Sequence, residues 1–142
     1  MINDVTTTPL EPPAYVRLAE LPENKGRDMA YPPANAEVQT LSYPDLSPLP
    51  LAEKPEACFA RAAAAARAMP RWQVVSEDAA GGRVEAVAVT GLLRFKDDVV
   101  VEVRVAAVGC GVHMRSKSRV GRGDFGANAR RIRAFFQRLS SS

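Results

Sequence analysis

The sequence predicts an α+β fold: a four-stranded antiparallel sheet with two helices on one face, in the order α-β-β-β-β-α, behind a proline-rich N-terminal arm. Three observations carry this reading. Alanines fill positions 60–66 between Pro55 and Pro70, and alanine is the best helix former. Four valine-rich segments between 71 and 119 are separated by glycine and aspartate turns. A C-terminal stretch sets Phe125, Asn128, Ile132, Phe135, Phe136 and Leu139 at helical spacing. The layout implies a two-layer sandwich.

The arm comes first. Nine of the 11 prolines fall in the first 50 of 142 residues. Pro12-Pro13, Pro32-Pro33 and the stretch 43–50 exclude a long helix and a central strand. Tyr15, Val16, Leu18, Leu21, Tyr31 and Leu41 make the arm more apolar than a disordered tail. The chain therefore divides into 1–50, an extended arm or strap, and 51–142, the α+β domain. The arm is expected to pack from about Leu41 onward, with its first half mobile.

Lys54-Pro55-Glu56 opens the first helix, since proline tolerates a first-turn position, and Pro70 closes it. Cys58, Ala62, Ala65, Ala66 and Met69 share one face. Strands are expected at 71–77, 83–95, 99–108 and 111–119. The glycines of 78–82 suit a hairpin turn, residues 96–98 make the next, and Gly109-Cys110 a tight third. With these turns Val105 lies beside Met114, Val103 beside Ser116 and Glu102 opposite Lys117. One sheet face is apolar. The other is wet, with Thr90, Leu92, Arg94, Glu102, Arg104, His113, Arg115 and Lys117. The last helix starts at Asp124 or Phe125 and runs to Leu139.

Composition bounds the chemistry. Hydrophobic content of 46% and charged content of 25% are those of a globular chain. No apolar run is long enough to span a bilayer. Cys58 and Cys110 are too few for a disulfide framework and read as ordinary small residues. His113 is the only histidine, which excludes a histidine-rich metal site and leaves one residue for any catalytic triad. No cofactor is expected. The net charge of +3 is uneven: residues 1–50 hold three bases and seven acids, and residues 115–138 hold eight bases and one acid.

That basic segment contains the candidate site. Gly121, Gly123 and Gly126 lie in a loop that feeds a helix N-terminus, where backbone N–H groups can cradle an anion. Arg115, Arg119 and Arg122 would supply the charge. The phosphate-loop pattern is absent, and Gly121-Arg-Gly123-Asp-Phe-Gly126 matches the dinucleotide pattern only in the wrong context. The structural alternative is a tight corner, with Asp124 capping the helix and Asn128 bonding loop backbone. Asp97-Asp98 is the other candidate, as paired acids for proton transfer or cation binding, or as turn residues.

Three segments resemble family 1499 of the domains of unknown function, found mainly in bacteria. They are Ile2-Asn-Asp-Val-Thr-Thr7 with Pro12-Pro13, Phe95-Lys-Asp-Asp-Val-Val100, and Arg115-Ser-Lys-Ser-Arg-Val-Gly121 with Asp124, Gly126, Asn128, Arg131 and Ile132. Asp97, Asp98, Ser116, Ser118, Asp124, Asn128 and Arg131 thus form a motif whose role is structural. Residues 90–94 depart from the family, which tends to aromatic residues there. The resemblance implies the soluble, periplasmic-side part of a membrane-anchored bacterial protein, with the anchor upstream of Met1. It implies no activity. The expected function is a non-catalytic binding or structural module whose basic glycine loop contacts an anionic lipid or a phosphate-bearing ligand. The alternative is an enzyme using Asp97, Asp98 or Asp124 with Arg115 or Arg119. Nucleic-acid binding is the weakest reading, because Phe125, Phe135 and Phe136 read as core rather than stacking platforms.

Overall fold

A computed structural model describes residues 1–142. Its elements are β1 (Asp4–Thr6), α1 (Arg17–Glu20), a short 3₁₀ turn (Pro22–Asn24), α2 (Asn35–Ser42), β2 (Leu49–Leu51), α3 (Pro55–Ala68), β3 (Trp72–Asp78), β4 (Arg83–Val89), β5 (Lys96–Val105), β6 (Cys110–Ser118) and α4 (Ala127–Ser141). The fold is α+β, but the antiparallel sheet has six strands, not four. Strands β3 to β6 form a meander, and the arm supplies the other two. Asp4 pairs with Lys117 and Thr6 with Arg115, while Leu49 pairs with Val112 and Leu51 with Cys110. β1 and β2 thus lie end to end along the free edge of β6 and cover it, as edge protection requires. Gln39 closes the new edge: its amide accepts from the Thr6 N–H at 2.9 Å and donates to the Thr6 carbonyl.

Helices α3 and α4 pack on one face, as the spacing predicts. Their buried residues meet Val84, Ala88, Val99, Val101, Val112 and Met114 in the main core. Trp72 stacks on Phe135 with ring centroids 5.4 Å apart. The opposite face, expected to be wet, is covered as well. There the first half of the arm lies across the sheet, and Tyr15 and Leu18 form a second apolar cluster with Val87 and Val100. The first half, expected to be mobile, is therefore packed; Val5 and Leu18 are fully buried. β4 is buried along both faces, because each face has a layer on it.

Three local expectations are corrected. β4 ends at Val89, not at residue 95. Thr90 and Phe95 bond one another through backbone and side chain, which closes a loop and leaves Leu92 and Leu93 exposed. The β5–β6 turn spans four residues, with Val105 opposite Cys110, Val101 opposite Met114 and Glu102 opposite His113. Gly109 stands in this turn at φ +68°, where a Cβ would lie 2.0 Å from the Leu51 carbonyl oxygen. The backbone of β2 passes too close for any side chain there, and the Ala106 N–H bonds the Gly109 carbonyl at 3.3 Å, so the hairpin closes over residues 106–109. Finally, Phe125 precedes α4 and is exposed, so it is not core.

Cys58 and Cys110 are joined by a disulfide across 52 residues of chain. This corrects their reading as ordinary small residues. One sits on the inner face of α3 and the other opens β6 facing the same core, so the bond ties helix to sheet.

Candidate functional site

Asp97 and Asp98 stand next to each other in β5, and strand geometry sends adjacent side chains to opposite faces. They are not turn residues and they do not form a carboxylate pair. Each is the buried centre of a separate polar network, one on each side of the sheet.

On the helix face Asp97 accepts from Arg131 of α4 at 2.8 Å. The same guanidinium reaches the Ser116 hydroxyl at 3.1 Å and the Asn128 amide oxygen at 3.0 Å. Ser116 donates to that oxygen at 2.6 Å, and the Asn128 amide nitrogen donates to Ser118 at 2.8 Å and to Asp124 at 2.7 Å. Burial pushes the Asp97 carboxyl above its usual range, and Arg131 and Ser118 pull it back only in part. The group is enclosed by its own partners.

On the strap face Arg115 is 2% exposed. It grips Asp4 with two nitrogens at 2.9 and 2.8 Å, and donates to the carbonyls of Pro13 at 3.1 Å and Met29 at 2.7 Å. Its guanidinium lies 4.6 Å from the Tyr15 ring centre and 5.8 Å from that of Tyr31. Burial would lower the Arg115 pKa, but the bonds to Asp4, the Asp4 charge and the neighbouring Tyr15 and Tyr31 together outweigh it and hold it above the ordinary value. Burial also raises Tyr15 well above the usual phenol and Tyr31 to about 12, so both rings stay neutral beside the cation. A second clasp lies alongside. Arg119 binds Asp98 at 2.7 and 3.0 Å, and Asp98 also accepts from Asn24 at 3.1 Å. A third comes from Glu85, whose carboxylate accepts the N–H groups of Val16, Arg17 and Leu18 at 2.9, 2.8 and 3.2 Å. Those are the free donors at the start of α1.

Six of the seven motif residues, Asp97, Ser116, Ser118, Asp124, Asn128 and Arg131, therefore meet on the helix face, while Asp98 lies on the strap face; the two networks lock α4 and the strap to the sheet. The anion-cradle residues are not brought together. Arg115 and Arg119 hold the protein's own carboxylates beneath the strap. Asp124 fills the start of α4: its side chain accepts the Gly126 N–H at 2.8 Å and the Asn128 N–H at 2.9 Å. Gly126, not Asp124, is the N-cap, at φ 79°. Gly121 accepts from the Asn3 amide, and Gly123 lies against Met1. Of the three arginines, only Arg122 is exposed and free of an ion pair. Asp4, Thr6, Thr7, Asn24, Gln39 and Glu85 are the buried polar residues that sequence reasoning missed. Asp4 was within reach, since it lies in the Asn-Asp-Val-Thr segment that carries the resemblance.

His113 hydrogen-bonds the Thr8 hydroxyl at 2.5 Å, and burial lowers its pKa. No group of three or more His, Cys, Asp or Glu side chains is placed to hold a metal ion. Two open surface depressions of about 530 Å³ each, one lined by Glu53, Arg61, Ala65 and Arg138 and the other by Ala134, Gln137, Arg138 and Ser141, contain no motif residue.

Asp124 offers a direct check. Asp124→Ala removes both acceptors at the start of α4 and one partner of buried Asn128. The expected cost is about 0.5–2 kcal/mol, read as a lower melting temperature at neutral pH. An unchanged melt would contradict the role of Asp124 in holding the start of α4.

A family model described as protein of unknown function (DUF1499) matches residues 4–139. No curated protein and no solved structure matches the chain significantly. The matched span begins at Asp4 in the strap and takes in Asp97, Asp98, Arg115 and Arg131, the residues of both networks, and the chain belongs to this family.

Proposed function

We propose that the chain is a non-catalytic binding or structural module of the bacterial envelope, the periplasmic-side part of a membrane-anchored protein, acting by contact with an anionic partner. The observation that carries this is the engagement of Asp97, Asp98 and Asp124 by internal partners on two faces of a covered sheet. An acid–base catalyst needs its carboxyl within reach of substrate. Here Arg131 and Arg119 occupy the two aspartates, and the strap or α4 lies over them. The Cys58–Cys110 bond supports an oxidising compartment. No helix is long and apolar enough to cross a membrane, so in this reading the anchor lies outside residues 1–142.

Carbodiimide labelling of carboxyl groups, mapped by mass spectrometry, tests the reading. Exposed Glu20, Glu37 and Glu56 should label in the native protein. Asp4, Asp97 and Asp98 should label only after denaturation. Native labelling of Asp97 or Asp98 at the rate of the surface acids would reveal an open path to them and restore the enzyme alternative.

A further inference from the structure

One end of the sheet gathers three chain reversals. β4 passes to β5 through residues 90–95, β6 passes to α4 through 119–126, and β3 begins beside them. The Val89 N–H bonds the Arg71 carbonyl at 2.9 Å, and the Arg119 N–H bonds the Lys96 carbonyl at 3.3 Å, which sets the three side by side. Their tips are apolar and open: Leu92 is 93% and Phe125 90% exposed, and Leu93, Phe95 and Val120 are exposed too. Around them stand Arg71, Arg94, Lys96, Arg122 and Arg130, all exposed. None of these five joins an ion pair. The acids of this end are engaged: Asp97 and Asp98 by arginines, Asp124 by α4, and Glu23 by Arg119 at 3.7 Å.

The backbone supports these tips at a cost. The chain has three non-glycine residues with positive φ, and all lie here: Arg71 at 61°, Arg94 at 57° and Phe125 at 52°. Such conformations disfavour residues with a Cβ and cluster at functional sites. Arg130 donates to the Phe125 carbonyl at 2.8 Å and steadies that turn. The other end differs. It exposes Val105 and Val108, but Arg83 and Arg104 there are tied to Glu102.

We propose that this end of the sheet docks on an anionic lipid bilayer, with Leu92, Leu93 and Phe125 entering the interface and Arg94, Lys96, Arg122 and Arg130 meeting the phosphate headgroups. Charge complementarity selects this occupant. Separate apolar tips set among unpaired cations match a surface that is apolar beneath and anionic above. A symmetric second copy would bring the same cations face to face, and a soluble anion would leave the apolar tips in water. The proposal rests on the reading of the chain as a contact module and names what it contacts.

Co-sedimentation of the 142-residue chain with phosphatidylcholine vesicles, with and without phosphatidylglycerol, tests it. Recovery should require the anionic lipid and fall with salt. Phe125→Ser, or Leu92→Ser with Leu93→Ser, should cut partitioning about tenfold, and Arg94→Gln or Arg122→Gln about fivefold. All these positions are exposed, so melts should match the wild type, and Val108→Ser at the far end should bind unchanged. Equal recovery on neutral vesicles, no recovery on either, or tip variants that bind like the wild type would overturn the proposal. So would a lipid-free dimer that Phe125→Ser dissociates, which would assign the surface to a second copy. If vesicle binding fails while Asp97 and Asp98 resist carbodiimide, the bilayer proposal falls and the non-catalytic reading stands.

Discussion

Arg115→Ala is expected to destabilise the protein by about 3–5 kcal/mol, a large part of the roughly 5–15 kcal/mol that holds a domain of ordinary stability together. The cost comes less from the bond lost than from what is left behind. Asp4 is fully buried, and without Arg115 its carboxylate has no countercharge. The carbonyls of Pro13 and Met29 lose their donor in the same step, and Tyr15 loses the cation over its ring. Arg115→Lys keeps the charge, but one ammonium cannot reproduce the fork that serves Asp4 twice. Its stability should fall between wild type and Arg115→Ala, and it keeps the test informative if the alanine variant does not fold. Asp4→Leu with Arg115→Met should cost less than the two single changes added together, since neither charge is then orphaned. Urea unfolding of the wild type, Arg115→Ala, Arg115→Lys, Asp4→Leu, Arg115→Met and the double variant checks the series. Additive costs would show that the pair is not coupled.

Reducing the Cys58–Cys110 bond is expected to have the next largest effect. The bond closes a loop of 52 residues, and chain entropy alone then assigns about 4 kcal/mol, within the 2–5 kcal/mol seen for small domains. The bridge joins α3 to the start of β6, where β2 also pairs. Its loss frees the unfolded chain without removing a charge or opening the strap. Cys58→Ala with Cys110→Ala should therefore lower the urea midpoint while Asp4, Asp97 and Asp98 remain protected from carbodiimide. A midpoint equal to that of the oxidised wild type would mean that the bond does not form in solution.

Much of the scaffold was legible. Pro55, the alanine run and Pro70 bounded α3 to within a residue, and helical spacing found the inner face of α4 apart from Phe125. Alternating valines marked β5, which spans 96–105 rather than the expected 99–108. The missing parts have physical causes. β1 and β2 are three-residue strands among prolines, too short to show alternation, and they exist because β6 offers them an edge. The four-residue turn 106–109, with β2 passing close to Gly109, is a packing feature that no local pattern reveals. The covered face was misread because a lone Arg115 in a strand looks solvent-facing. Its partner Asp4 lies 111 residues away, and only the pair makes burial affordable. The site followed the same logic: Asp97 and Asp98 read in sequence as paired acids or as turn residues, and strand geometry separates them.

Amide hydrogen exchange under native conditions tests most directly whether Asp4, Asp98, Arg115 and Arg119 form a lock on the strap. The Thr7 N–H bonds the Met114 carbonyl, and the Leu18 N–H bonds Glu85, so both report on the strap. If the strap is locked, these amides exchange only when the sheet opens, within about tenfold of those in β5 such as Val100. Exchange at Thr7 and Leu18 faster than β5 by a thousandfold or more, on the order of 4 kcal/mol less protection, would mean that the strap peels off by itself and that Asp4, Arg115 and Asp98 lock nothing.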